Sequence, residues 1–342
     1  MDKRASRPLK AAAQAQPNIA LIKYWGKRDI ALNLPAAGSL SITLESLWTR
    51  TGVAFDPTLD RDRLNLNGAE DAAQAGRASA CLDLLRARAG VDWRARIDSH
   101  NNFPTGAGLA SSASGFAALV RAAAAALEVD LDARELSILA RRGSGSAARS
   151  IFGGFVEMAA GTRADGEDAF AQPVLGATEW PLQVVVAVTS KRAKSIGSTA
   201  GMELSRRTSP FYADYVATTP GDLAAARRAV LGRNFEALAA LSEHSCLKMH
   251  GMMLATQPGL LYWSGATVEC LHRVRALREQ EGLGVFFTVD AGPQVKAICL
   301  PDYAARVAAA LADVPGVEEV MTTGLGEGAR VIEGASELSC VS

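Results

Sequence analysis

Residues 101–115 read Asn-Asn-Phe-Pro-Thr-Gly-Ala-Gly-Leu-Ala-Ser-Ser-Ala-Ser-Gly, a run of small residues and hydroxyls that passes directly into an alanine-rich apolar stretch. Glycine lets a backbone approach an anion closely, and the first amides of a helix lack internal partners and sit at the positive end of its dipole. Such a segment can seat a phosphate chain, although a glycine turn before an alanine-rich helix is also an ordinary structural feature. No Gly-Lys-Ser/Thr closes the loop, so it is neither a Walker A loop nor the dinucleotide fingerprint.

Four other segments carry residue types suited to chemistry. Residues 18–29 place Lys23, Lys27 and Arg28 around the Tyr24-Trp25 pair at a strand end, either to meet an anion or as a solvated basic turn. Residues 142–150 form a second loop of small residues opening a helix, with Ser144, Gly145 and Ser146 followed by Arg149. Arginine grips a carboxylate or phosphate through two parallel bonds; N-capping would explain the serines but not Arg149. Lys191, Arg192 and Lys194 with Ser195, Ser198 and Thr199 form a basic, hydroxyl-rich segment, a lid over phosphates or a wet loop. Asp290 ends the apolar run 285–289 just before Gly292-Pro293, where it can accept a hydroxyl proton or simply bond its own turn. His100, His244, His250 and His272 show no metal-ligand spacing, and Gly324-Leu325-Gly326-Glu327-Gly328 reads as a turn between the last strands.

These residues need a scaffold. The 342-residue chain, 49% hydrophobic and 21% charged, is long enough for two domains. Lys plus Arg balances Asp plus Glu at 36 each, so no global field recruits nucleic acid or an anionic membrane, and an anionic ligand requires a local cluster. Cys81, Cys246, Cys270, Cys299 and Cys340 lack disulfide-framework or zinc spacing and suit a reducing cytoplasm. Residues 1–16 lack the apolar core of a signal peptide and read as a frayed tail. The patterning predicts strands at 18–23, 40–44, 53–55, 64–66, 93–99, 155–159 and 182–188, a hairpin over 285–300 and a last strand near 317. It predicts helices at 72–89, 111–127, 136–142, from 146 to the Gly153-Gly154 stop, and at 209–216, 222–231, 235–251, 265–280 and 303–312, with a mobile loop over 189–201. Strands and helices intermix without strict alternation, which is α+β rather than a doubly wound sheet.

The order of these segments resembles the diphosphomevalonate decarboxylases of the GHMP kinase superfamily, over about residues 16–300. The resemblance rests on 18–29 with Tyr24-Trp25-Gly26-Lys27-Arg28-Asp29, on 102–112, on 142–149 followed by Phe152-Gly153-Gly154, and on Asp290-Ala291-Gly292-Pro293; Arg77 and Ser198-Thr199-Ala200-Gly201-Met202 also match. It implies a two-lobed α+β fold, ribosomal-protein-S5-like to about residue 190 and ferredoxin-like over 191–342, with the site in the cleft between. It also implies ATP-dependent decarboxylation of mevalonate 5-diphosphate to isopentenyl diphosphate. By resemblance Asp290 deprotonates the C3 hydroxyl, Arg149 and Asn18 hold the carboxylate, and Lys23, Tyr24, Trp25, Gly26, Arg77, Ser144, Gly145, Ser146, Ala147, Ala148, Ser198 and Thr199 bind the substrate. ATP falls to Lys27, Asn102, Pro104, Gly106, Ala107, Gly108, Leu109, Ala110, Ser111, Ser112 and Lys194, with Mg²⁺ on the nucleotide phosphates and Ser112 a direct or water-mediated contact.

The chain departs from many members in having Ala36-Ala37-Gly38-Ser39 before its Ser-Leu-Ser strand and Thr-Gly-Ala-Gly in the loop; neither change removes a charge. Residues 247–250 look like bacterial members, and the resemblance implies a cytoplasmic homodimer with small-molecule partners, no nucleic acid and no membrane. A decarboxylase of mevalonate 5-phosphate, a 3-kinase that does not decarboxylate, a general sugar or amino-acid kinase, and a non-catalytic nucleotide or metabolite sensor are the alternatives. Asp290 separates the sensor from the enzymes, because a pure binder has no need of that carboxylate.

Overall fold

The computed structural model describes residues 9–103, 111–192 and 194–332. The first half contains β1 (Leu9–Ala15), β2 (Asn18–Ile22), β3 (Lys27–Asp29), β4 (Leu34–Pro35), β5 (Ser39–Thr43), β6 (Thr49–Asp56), β7 (Arg63–Leu66), β8 (Ala69–Glu70), α1 (Ala72–Ala89), β9 (Arg94–Asn101), α2 (Ser111–Ala126), α3 (Ala133–Gly143), α4 (Ala147–Ser150), β10 (Phe155–Met158) and β11 (Ala171–Leu175). The second contains β12 (Gln183–Val188), α5 (Ser198–Thr208), α6 (Tyr212–Leu231), α7 (Phe235–Leu254), α8 (Gly265–Glu279), β13 (Val285–Val289), β14 (Val295–Cys299), α9 (Ala304–Ala312), β15 (Glu319–Thr323) and β16 (Arg330–Ile332).

Local chemistry accounts for the boundaries. Asp71 caps α1 by accepting from the Gln74 amide, and Asp132 with Glu135 forms a capping box that starts α3 three residues before the predicted Leu136. Asn67 and Gly68, both at positive φ, turn β7 into β8. Helix α2 is apolar on nearly every side, and its alanines let it lie close on β1 and β6.

Sheet order places the lobes. Six strands run β16-β1-β6-β9-β7-β8, all antiparallel except β7 with β9; two further sheets run β11-β10-β5-β2 and β13-β14-β12-β15, and β3 pairs with β4 in a small ribbon. One core fills the space between the six-stranded sheet and α1–α3. A second joins Ile19, Ile42 and Phe155 to Val184, Val186, Phe286 and Ile298, so the two four-stranded sheets share an interior and fix β2 against β13. The division expected at residue 190 leaves β12 on the N-terminal side, whereas its hydrogen bonds are with β14 and β15.

Several expectations need correction. Residues 9–15, read as part of a frayed tail, form β1, paired on both sides in the largest sheet, with β16 and β6. The single helix α6 replaces helices at 209–216 and 222–231: it runs through Pro220, with Thr218 and Thr219 donating to the Asp214 and Tyr215 carbonyls in the preceding turn and α7 packed alongside. The loop expected over 189–201 is cut short, because α5 starts at Ser198. Strand β11 was missed; its Pro173 is tolerated because β11 is an edge strand. The glycine-rich segment 324–328 threads between the lobes: Gly326 N–H donates to Thr43 O at 2.8 Å and Gly154 N–H to Gly326 O at 2.9 Å. A Cβ on Gly326 would lie 2.7 Å from the Leu44 carbonyl oxygen, so only glycine fits there. The chain then re-enters the N-terminal sheet as β16. No helix among the described residues is long and apolar enough to cross a membrane.

Candidate active site

Asp290 emerges from β13, whose outer edge is held by α7. Glu243 accepts from the Phe287 amide, Cys246 Sγ from the Val289 amide, and His250 Nε2 lies 3.2 Å from the Val289 carbonyl. Thr288 Oγ1 donates to Ala20 O, which ties β13 to β2. This frame brings Lys23, just past β2, within 2.7 Å of Asp290 Oδ1, and Lys296 of β14 within 3.4 Å of Oδ2. Burial acts to raise the Asp290 carboxyl, but the charges of Lys23 and Lys296 outweigh it and hold the group at about 2. Burial, reinforced by Lys23, pushes the His250 imidazole down to about 3, so it is neutral at working pH. Lys23 is itself fixed: its amide donates to Ser245 Oγ and its carbonyl accepts from Tyr215.

Arg149, 2% exposed, sits on α4 with two arms engaged: Nε donates to Asn18 Oδ1 at 3.0 Å and Nη1 to Ser39 Oγ at 2.6 Å. Asn18 Nδ2 in turn donates to Ser150 Oγ and Ser146 O, so Asn18 orients Arg149 and secures the turn that carries it. Burial lowers the guanidinium to about 10, against the pull of Tyr24 and Asp290, and it stays charged. The ring of Tyr24 lies 5.9 Å from Arg149 Cζ. Tyr24 Oη is buried with no hydrogen-bond partner among the described residues. Gly145 makes room for it: a Cβ there would strike the Tyr24 ring and hydroxyl.

These groups border a cleft of about 430 Å³. The serine hydroxyls run in a chain, Ser112 to Ser144 and Ser144 to Ser146, each step 3.3 Å. Arg77 reaches in from α1 over the ring of Phe116 and donates to Gly143 O. Lys27 Nζ donates to Asn33 Oδ1 and Thr199 Oγ1, and burial, then Arg77, lower its pKa to about 8. Lys194 Nζ donates to Ser198 Oγ at 2.8 Å. Among the described residues the lining holds five cations, Lys23, Lys27, Arg77, Arg149 and Lys194, against the single carboxylate of Asp290. In a chain with no formal net charge, that local excess specifies a polyanionic ligand.

Most of the predicted residues among those described meet here, but Asn102, Ala147, Ala148 and Gly26 do not border the cleft. Asn102 does not border the cleft; both arms of its amide join the 46–48 segment, accepting from Trp48 N–H and donating to Ser46 O. Ala147 and Ala148 are fully buried behind the cleft wall, and the Ala147 amide is spent on Ser144 O. Trp25 lines the cleft as an apolar wall only, since its indole N–H donates to Ser205 Oγ. Gly26 is not among the lining residues; at φ +111° it packs against Tyr212 and turns the chain toward Lys27. Lys191, part of the segment read as a phosphate lid, pairs instead with Glu319. Pro104, Gly106, Ala107, Gly108, Leu109 and Ala110 lie outside the described residues. Lys296, Asn33 and Ser39 were missed, and of these only Lys296 had a usable signal, as the one charge in an apolar strand.

A divalent cation suits this cleft only as a companion of a ligand. No group of three or more His, Cys, Asp or Glu among the described residues could hold one, and Asp290 is committed to two lysines. The hydroxyls of Ser112 and Ser144, 3.3 Å apart, are hard oxygen donors of the kind such an ion accepts.

Comparison with known proteins agrees over nearly the whole chain. Residues 15–171 match the family described as diphosphomevalonate decarboxylase-like N-terminal domain, and residues 184–333 match the mevalonate 5-diphosphate decarboxylase C-terminal domain. The diphosphomevalonate decarboxylase of Candida albicans is 39% identical over 83% of this chain and 82% of its own length, and that of Homo sapiens 38% over 90% and 81%. The mevalonate diphosphate decarboxylase structure from Staphylococcus aureus superposes with a TM-score of 0.90 at 36% identity, covering 96% of this chain and 99% of that one. A complex of MDDEF with MVAPP, AMPPCP and magnesium gives 0.88 at 36% identity, covering 96% and 100%.

Proposed function

This chain belongs to the diphosphomevalonate decarboxylase family, and from that premise we propose that its cleft couples ATP to the decarboxylation of mevalonate 5-diphosphate, yielding isopentenyl diphosphate, carbon dioxide, ADP and phosphate. The observation that carries the reading is the Asp290 carboxylate, held 2.7 Å from Lys23 in a cleft whose other charged lining residues, among those described, are cations.

Asp290 orients the tertiary C3 hydroxyl and accepts its proton as the oxygen attacks the γ-phosphate of ATP. With a pKa near 2 it is a fixed acceptor more than a strong base, which suits phosphoryl transfer, where positioning and charge neutralisation dominate. The phosphorylated C3 oxygen is then a competent leaving group, and its departure draws electrons from the carboxylate until carbon dioxide is lost. Arg149, oriented by Asn18 and Ser39, holds that carboxylate away from water. Lys23, Tyr24, Arg77, Ser144, Ser146 and Ser198 converge on the diphosphate end, with Gly145 and Thr199 beside them. Lys27, Lys194, Ser111 and Ser112, with the loop 104–110, serve ATP. The apolar cavity lined by Leu64, Ile97, Phe116 and Leu119 shares Gln74, Ser111 and Ser112 with the cleft and takes the base. Ser112 would contact a magnesium ion carried in with the nucleotide, and that ion would supply charge neutralisation for the transfer. The same reading makes the protein a cytoplasmic homodimer of the mevalonate pathway, with its lobes divided between β11 and β12.

The test is a mass-spectrometric time course with Mg-ATP and, in separate reactions, mevalonate 5-diphosphate and mevalonate 5-phosphate. Isopentenyl diphosphate from the first alone is the expected result. Isopentenyl phosphate from the second would move the protein to the monophosphate activity, a 3-phosphorylated acid that keeps its carboxylate would make it a kinase, and no product in either would leave the sensor.

A further inference from the structure

Asp290 faces cations on both sides, and the two lysines that touch it are not equivalent. Lys23, although only 1% exposed, borders the cleft, where an entering anion can reach it; Lys296, equally buried, does not border it. Lys296 is 1% exposed in β14, Val-Lys-Ala-Ile-Cys, where every residue is buried, and it stands opposite Thr288 in the β13–β14 hairpin, two residues before Asp290. A buried ammonium is costly without a counter-charge, and the carboxylate 3.4 Å away supplies it. Since Thr288 is bonded to Ala20 of β2, the hairpin holds Lys296, Asp290 and Lys23 in one frame.

We propose that Lys296 is a positioning residue for Asp290, gripping Oδ2 from behind so that the carboxylate stays oriented and ionised when an anionic substrate draws Lys23 away. The inference rests on the role given to Asp290 above. A diphosphate entering the cleft competes with Asp290 for Lys23. Without a second cation the carboxylate would then be left buried beside bound phosphate, and it would take up a proton and lose its power to orient the hydroxyl. Lys296, walled from the cleft, cannot be diverted.

The groups that face Asp290 allow a clean test. Among the described residues they are Lys23 after β2, Lys296 on β14, Arg149 on α4, Lys194 before α5, and Cys246 and His250 on α7. Burial raises the Cys246 thiol, and burial with Lys23 holds His250 near about 3, so neither titrates between pH 5 and 8. An acid limb in that window, beyond the one the substrates impose, belongs to Asp290.

The experiment measures kcat and KM for Lys296→Met, Lys296→Gln and Lys296→Arg from pH 5.5 to 8 with Mg-ATP and mevalonate 5-diphosphate, each expressed as a ratio to wild type so that substrate ionisation cancels. The Met and Gln variants are expected to show a kcat ratio about tenfold lower at pH 5.5 than at pH 8, with KM changed less than about threefold, and Arg to keep the ratio flat. A neutral variant with wild-type kcat, or with a loss that is the same at every pH, overturns the proposal, the second result marking a merely structural lysine. Lys296→Gln carries the test if Lys296→Met fails to fold. Failure of wild type to turn over would instead refute the activity, a separate outcome.

Discussion

Replacing Asp290 with asparagine keeps the shape of the side chain and removes its charge, and two consequences follow from the distances. Catalysis loses the acceptor for the C3 hydroxyl proton, for which general-base removal costs about 10²–10⁴-fold in kcat. Stability falls because Lys23 and Lys296, each 1% exposed, lose the carboxylate that lay 2.7 and 3.4 Å away. Breaking a buried pair from one side costs about 3–5 kcal/mol; the Asp290 side chain is 23% exposed, so the lower end, about 3 kcal/mol, applies. The sign of the pH dependence is also set. Burial already lowers the Lys296 pKa in the native protein, with Asp290 opposing, and removing Asp290 lowers it further. A lysine whose folded pKa lies below its unfolded value binds fewer protons when folded, so stability rises with pH between the two values. Thermal midpoints of wild type and Asp290→Asn should therefore differ most near pH 6 and converge toward pH 10, while calorimetric ATP affinity stays within about threefold. Adding Lys296→Met should recover part of the lost stability but none of the activity. Near-normal turnover would remove Asp290 from its role, and a stability deficit independent of pH would refute the account of buried lysines that lose the Asp290 carboxylate.

Three further outcomes are expected. Arg149→Ala should lower kcat about 10²-fold or more with little change in the KM for ATP, because the guanidinium and its Asn18 and Ser39 anchors point to the substrate side; equal loss of both would mark a folding defect. Gly145→Ala puts a methyl against the Tyr24 ring and should raise the KM for mevalonate 5-diphosphate about tenfold, about 1.4 kcal/mol, while an unchanged KM would show that Tyr24 does not meet the substrate. Lys27, held at about 8 by burial and Arg77, loses its charge as pH rises through that value, so the KM for ATP should climb above pH 8 in wild type and be flat over that range in Lys27→Met.

What could be read in the sequence depended on whether a residue acts within its own segment. Helix α1 was predicted at its observed bounds because Asp71 and Gly90 flank it as local caps. Asp290 and Arg149 stood out because each is a charge whose neighbours are apolar or small, an anomaly visible in a few residues of chain. Asn102 is the converse case. It sits beside a phosphate-type loop in sequence, but its side chain is consumed by residues 46–48, and no local pattern announces a partner so far away. Helix α6 was split because Thr-Pro-Gly is a break signal wherever no packing opposes it, and here α7 does.

Lys296 sets the harder limit. Its charge in an apolar strand was legible, yet its meaning depends on hairpin register, on β14 being paired on both sides, and on β2 arriving from 267 residues away in sequence to place Lys23 on the other carboxylate oxygen. The same holds for the cleft as a whole. A balanced net charge argues against a polyanion only if charges are spread evenly, and nothing in composition shows that Lys23 and Lys27, Arg77, Arg149 and Lys194, which lie on four separate segments of the chain, converge on one space. The chain remains neutral overall because carboxylates outside the cleft balance its cations, at 36 Asp plus Glu against 36 Lys plus Arg. Segregating charge in this way lets the cleft attract two polyphosphates while the protein at large does not bind anions indiscriminately, and it leaves Asp290 as the one negative charge among the described lining residues, where its acceptor role is needed.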